Sequence, residues 1–122
     1  MAHIAGLKTQ IRQAAESAPL AVRSKGRILF LQPEEVDWVE AKHNHVLLHT
    51  RRGGHLVRES MRAMEAKLDP HRFRRIHRGA IVNIGRIAAI EPRPRGDAFV
   101  ALEGGLKLNV SRSYWKSLKQ PV

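Results

Sequence analysis

No cysteine occurs in the chain, which excludes disulfides, thiolate zinc sites, iron–sulfur clusters and cysteine nucleophiles. Aromatic residues are scarce, at 5% of the chain: Phe30, Trp38, Phe73, Phe99, Tyr114 and Trp115. Proteins that bind single strands stack bases on exposed aromatic platforms, and so few rings leave little for that use once a core is built. No apolar run approaches the ~20 residues of a membrane span, and Met1–Ile11 lacks the apolar stretch of a signal peptide. The expectation is a soluble, cytoplasmic protein with no membrane partner. Acidic residues are also few, 11 against 22 Lys and Arg, which leaves a formal net charge of +11. Such an excess directs a positive potential at a polyanion, and with few aromatics it favours the backbone of a duplex.

Signatures of catalysis are missing as well. No G-x-S-x-G presents a serine on a strained turn, and neither Gly53-Gly54 nor Gly104-Gly105 continues into the Gly-Lys-Ser/Thr of a phosphate loop. The one carboxylate pair, Glu34-Glu35, stands at the start of a strand, where neighbouring side chains diverge. His43 and His45 would share a strand face if both lay in extended chain, with Glu40 or His49 as the only local third ligand, and no HExxH pattern accompanies them. We expect no enzyme, no cofactor and no metal.

What is present is a β-rich chain of 122 residues, the length of a single domain with a short appendage. Ala2–Ala18 reads as a helix, with Ile4, Leu7, Ile11, Ala14 and Ala18 at helical spacing, ended by Pro19. Ala21–Gly26 reads as a linker, so residues 1–26 form an appendage to a domain of 27–122. Short strands are predicted at Arg27–Leu31, Val36–Ala41, Val46–Thr50, His55–Glu59, Phe73–Ile76, Ile81–Asn83, Ile87–Pro92, Asp97–Leu102 and Leu106–Val110. Leu106, Leu108 and Val110 alternate with Lys107 and Asn109, as one buried face requires. Turns fall at Arg52-Gly53-Gly54, Pro94-Arg95-Gly96-Asp97 and Glu103-Gly104-Gly105. One internal helix is capped by Ser60, carries Met61, Met64 and Leu68 on its apolar face and closes at Asp69-Pro70; a last helical turn runs from Ser111 or Ser113 to Leu118.

Residues His71–Arg78, HRFRRIHR, hold four arginines and two histidines with no acid. A charged edge strand resists edge pairing, but mixed signs serve that better, so this run points to phosphate or base contact. Three further segments place hydrogen-bonding side chains at strand ends: Lys42-His43-Asn44-His45, His77-Arg78-Gly79-Ala80 and Val110-Ser111-Arg112-Ser113. Arg and Asn make bidentate pairs with guanine and adenine edges. If these ends converge, the chain offers base-reading loops on a rigid sheet.

The run FRRIHRGAIVNIGRIAAIEP, followed by a Gly-Gly hairpin and LNVSRSYWKSL, closely resembles the LytTR DNA-binding domain of bacterial transcription regulators. VDWVEAKHNHVLLHTRRGGHLVRESMRAMEAKL is similar to the first half of the same family, and together they cover Arg27 to Lys119. The resemblance implies an elongated, mainly β fold of about ten short strands in small antiparallel sheets with one short internal helix, here preceded by the N-terminal helix. It implies loops that enter successive major grooves of double-stranded DNA, on promoter direct repeats that seat two domains side by side as a homodimer on DNA. Carried over, the reading loops are Lys42, His43, Asn44 and His45; then His77 and Arg78; then Ser111 and Arg112. Arg74 and Arg75 are expected on phosphates. The chain departs from the family pattern at Gly79-Ala80, where many relatives have a polar–aromatic pair, and at Asn44-His45 in place of Asn-Tyr. Most relatives follow a phosphorylatable receiver, so the signal is expected from an upstream domain or partner protein outside this chain. The competing readings are a basic RNA-binding or ribosome-associated protein, and an interaction module built on the N-terminal helix.

Overall fold

A computed structural model describes residues 19–119, and the N-terminal helix expected over Ala2–Ala18 lies outside them. Among the described residues, ten strands and two α-helices follow one another with two short 3-10 turns, Pro33–Glu35 and Ile84–Arg86, mainly β as expected. The first two strands, β1 (Leu20–Ser24) and β2 (Arg27–Leu31), form a hairpin. Then come β3 (Val36–Lys42), β4 (His45–Thr50), β5 (Gly53–Val57), helix α1 (Met61–Lys67), β6 (Phe73–His77) and β7 (Ala80–Asn83). The last part holds β8 (Ile87–Pro92), β9 (Ala98–Leu102), β10 (Lys107–Val110) and helix α2 (Arg112–Lys119). All pairings are antiparallel, in a five-stranded sheet ordered β5-β4-β3-β7-β6, a three-stranded sheet ordered β10-β9-β8, and the β1–β2 hairpin.

The central sheet is buried on both faces at β7. Strand β7 shows why: all four residues are buried, and because side chains alternate, Ile81 joins one apolar cluster while Ala80 and Val82 join the other. The first cluster unites Val36, Val39, Val46, Leu48 and Val57 with the β1–β2 hairpin and with Met61, Met64 and Leu68 of α1. The second sets Ile76 and Val82 against Ala98, Val100, Leu102 and Val110 of the smaller sheet, with Tyr114, Trp115 and Leu118 of α2 around it. Ser60 caps α1 by accepting the Ala63 N–H at 3.0 Å, and both helical methionines are core residues as the spacing predicts.

Several boundaries differ from expectation. Ala21–Gly26 is not a linker: Leu20–Ser24 is strand β1, with Leu20, Val22 and Ser24 buried against the core and Ala21 and Arg23 outside. Lys25 and Gly26 both have positive φ, 52° and 75°, so the turn is a tight two-residue reversal whose twist suits a hairpin. Strand β5 starts at Gly53 rather than His55, because the β4–β5 turn is made by Arg51-Arg52 and the glycines pair with Thr50 and His49. Leu106 precedes β10 and is half exposed, so the buried alternation is carried by Leu108 and Val110 alone. The terminal helical turn is a full helix, α2.

Candidate nucleic-acid interface

Strand register brings four chain reversals to one end of the molecule. Lys42 pairs with His45, which puts the two-residue β3–β4 turn, His43-Asn44, at the end of β3. Glu40 pairs with Ala80, and the Ala41 N–H donates to the Gly79 carbonyl at 2.9 Å, so the β6–β7 turn lies beside it. The Ser111 N–H donates to the Ile76 carbonyl at 2.9 Å, which joins the start of α2 to the same region. The three loops singled out in the sequence are therefore stitched together by backbone hydrogen bonds. Adjacent to them, the Arg112 side chain crosses the β8–β9 turn: a β-carbon placed on Gly96 would lie 3.4 Å from Arg112 Cγ and 3.5 Å from Nε. Gly96 also has φ +91°, so the turn itself favours glycine there, while a β-carbon would meet Arg112 only at ordinary van der Waals distance.

The β3–β4 turn is the barest of these tips. Lys42, His43 and Asn44 are exposed and His45 is half-buried, and no hydrogen bond among the described residues reaches the side chain of His43 or Asn44. His43 has φ +53°, so the reversal turns on a non-glycine residue with positive φ, and Asn44 does not share the sign. Behind the tip, His49 stacks on Trp38 with ring centroids 4.2 Å apart, and its Nε2–H donates to Glu40 Oε1 at 2.9 Å. Lys42 Nζ lies 3.4 Å from the other oxygen of Glu40. The His49 hydrogen bond holds the Glu40 carboxyl below its ordinary value, against partial burial and with help from Lys42.

The β6–β7 turn is built differently. A bulge between Arg75 and His77 shifts the register just before the turn, and such bulges re-aim neighbouring side chains. His77 Nδ1 accepts the Gly79 N–H at 3.1 Å, which assigns the ring proton to Nε2. Arg78 is exposed at the tip with no ion-pair partner among the described residues. Arg112 is likewise exposed and without one, while Ser111 is half-buried.

Arg74 and Arg75 do not join this group. The Arg74 guanidinium donates to the Ser117 carbonyl of α2 at 2.8 Å. Arg75 donates to the His77 carbonyl at 3.0 Å, to the Arg78 carbonyl and to Glu65 Oε1 of α1 at 2.9 Å. Both are turned to acceptors within the chain, unlike Arg78 at the tip. The sequence marks Pro94–Asp97 only as a reversal, and the structure sets this β8–β9 turn beside Arg112. Arg95 is exposed there without an ion-pair partner, and Arg93 lies over the Phe99 ring at 4.6 Å. Two arginines flanking a proline were the available signal. The result is an end of the molecule where Lys42, Arg78, Arg95 and Arg112 stand near turns that contain one acid, Asp97.

A family model for the LytTr DNA-binding domain matches residues 26–122. The chain belongs to the LytTR family of DNA-binding domains. It is 30% identical over 117 residues to the sensory transduction protein LytT of Bacillus anthracis, covering 93% of this chain and 48% of that protein. It is also 30% identical over 112 residues to the transcriptional regulatory protein BtsR of Escherichia coli K12, covering 91% of this chain and 45% of that one. The chain thus spans about half the length of the curated relatives it matches. Its fold matches a solved LytTr DNA-binding domain from Bacillus cereus with a TM-score of 0.74 at 22% identity, over 84% of this chain and 94% of that one. Membership of the LytTR family assigns DNA binding in transcription regulation and sets aside the RNA-binding alternative. Among the described residues, no helix is long and apolar enough to cross a membrane.

Proposed function

We propose that this chain reads promoter DNA in sequence-specific fashion through the gathered turns, with Asn44, Arg78 and Arg112 reaching base edges in successive major grooves. Lys42, His43, His45, His77 and Ser111 flank them, and Arg95 takes the phosphate role first given to Arg74 and Arg75. The observation that carries this reading is the pair of backbone hydrogen bonds, Ala41 to Gly79 and Ser111 to Ile76, that hold three distant segments side by side. Counterion release by the cationic end supplies affinity, and the amide and two guanidiniums supply preference. Direct repeats bound by two copies side by side, control by an upstream signalling domain or partner protein, a domain that includes β1 and a cytoplasmic location complete the proposal.

Selection of bound duplexes from a random pool tests it. The expected outcome is one enriched motif that recurs as a tandem pair. Recovery of unenriched sequence, with affinity indifferent to the duplex, would overturn it.

A further inference from the structure

Arg75 is the most heavily engaged guanidinium beside the gathered turns. Its side chain is only 16% exposed, on the strand that leads into the β6–β7 turn. Nε and one terminal nitrogen donate to two successive backbone carbonyls, those of His77 and Arg78. The other terminal nitrogen meets Glu65 of α1, and the guanidinium carbon stands 6.0 Å from the centre of the Tyr114 ring on α2. A planar fork that grips two consecutive carbonyls fixes the peptide between them, and with it the direction in which Arg78 leaves the backbone. Glu65 fixes the fork in turn. Its carboxylate is half exposed on the outer side of a short helix that has no residue among the gathered turns.

We infer that Arg75 is a positioning residue for DNA reading, and that Glu65 on α1 holds it in place, so that α1 governs the pose of the β6–β7 turn without touching DNA. This rests on the function proposed above. A charge-only view makes the opposite prediction for Glu65. Removing an acid from a protein that binds a polyanion raises affinity for every duplex. Loosening the brace lowers affinity for the preferred duplex and leaves random duplex unchanged or slightly favoured.

The test uses the full chain, the duplex that wild type selects from a random pool, and a duplex of random sequence. Glu65→Ala suits the helix, since Ala is the best helix former and the residue is solvent-facing. It should bind the selected duplex at least about fivefold more weakly, the low end of losing one base contact. Arg75→Lys keeps the charge but not the planar fork, and should fail to restore wild-type preference. Arg75→Gln should leave the salt dependence of random-duplex binding at the wild-type slope, whereas a phosphate contact would lower it by about one unit. In the free chain, amide hydrogen exchange at Gly79 should speed up in Glu65→Ala while the melting temperature stays near wild type.

Tighter binding of all duplexes by Glu65→Ala, or full rescue by Arg75→Lys, would overturn the inference and leave the proposed function standing. Faster exchange at Gly79 with unchanged preference would overturn it too, since the brace would then not serve reading. A wild-type chain that selects no sequence would instead sink the function itself.

Discussion

Two turns at the same end of the molecule present their side chains in opposite ways. The β3–β4 tip, His43-Asn44, is held only by the strand ladder beneath it, and no side-chain hydrogen bond among the described residues reaches it. The β6–β7 tip is held by Arg75 on its carbonyls, by the Gly79 N–H on His77, and by the Gly79 carbonyl on Ala41. A free tip settles on its target by ordering side chains at the moment of contact, and loses entropy then. A braced tip has lost that entropy during folding and binds in a pose already set. Under the proposed function, one molecule therefore combines an adaptable contact with a preset one.

That contrast can be broken at several levels. The largest effect belongs to Ile76, fully buried under the braced turn and the acceptor of the Ser111 N–H. Ile76→Ala should cost about 2–5 kcal/mol in thermal or denaturant unfolding. A smaller loss would mean the ground under the turn is softer than described. Next comes Arg112→Ala, with about 1–3 kcal/mol lost on the selected duplex and much less on random duplex. Equal losses on both would make Arg112 a phosphate contact. A double-mutant cycle then separates the two tips. Arg78→Ala combined with Arg75→Gln should show coupling of about 0.5–3 kcal/mol, while Asn44→Ala with Arg75→Gln should add within about 0.5 kcal/mol. Arg95→Ala should lower the salt slope by about one unit on all duplexes alike.

The smallest effect concerns pH beneath the free tip. Because His49 holds the Glu40 carboxyl below its ordinary value of 4.5, their contact stabilises the fold above that value. The stabilisation is lost as pH falls through the lower folded value. His49→Gln should flatten this part of the unfolding profile between neutral and acid pH. An unchanged profile would remove the pair from the support of the turn.

Much of the fold was legible because local chemistry and long-range packing agree. Ser60 ahead of Met61 and Met64 marks α1, and glycines mark the hairpins, since these signals act within a few residues. Strand β1 escaped because Ala21–Gly26 is polar and follows Pro19, although Leu20 and Val22 already alternate with Ala21 and Arg23. The three segments proposed to read DNA stand out in the sequence as chemistry, an amide and two guanidiniums at strand ends. Their meeting was not, since it depends on pairings between residues far apart in the chain. Arg74 and Arg75 show the converse. A run of arginines with no acid nearby in sequence looks solvent-facing, but Glu65 and the carbonyls that absorb Arg75 arrive only through folding.

At the end of the molecule away from the turns, Arg86 meets Asp37 at 3.1 Å, Glu103 at 3.4 Å and the Glu34 carbonyl at 3.4 Å. Asp37 belongs to the large sheet and Glu103 to the β9–β10 turn of the small one, so this single side chain ties the two sheets at the end opposite the turns. The Ser111–Ile76 hydrogen bond ties them again at the other end, with the second apolar cluster between. Like a plank nailed at two points, the small sheet is denied rotation against the large one.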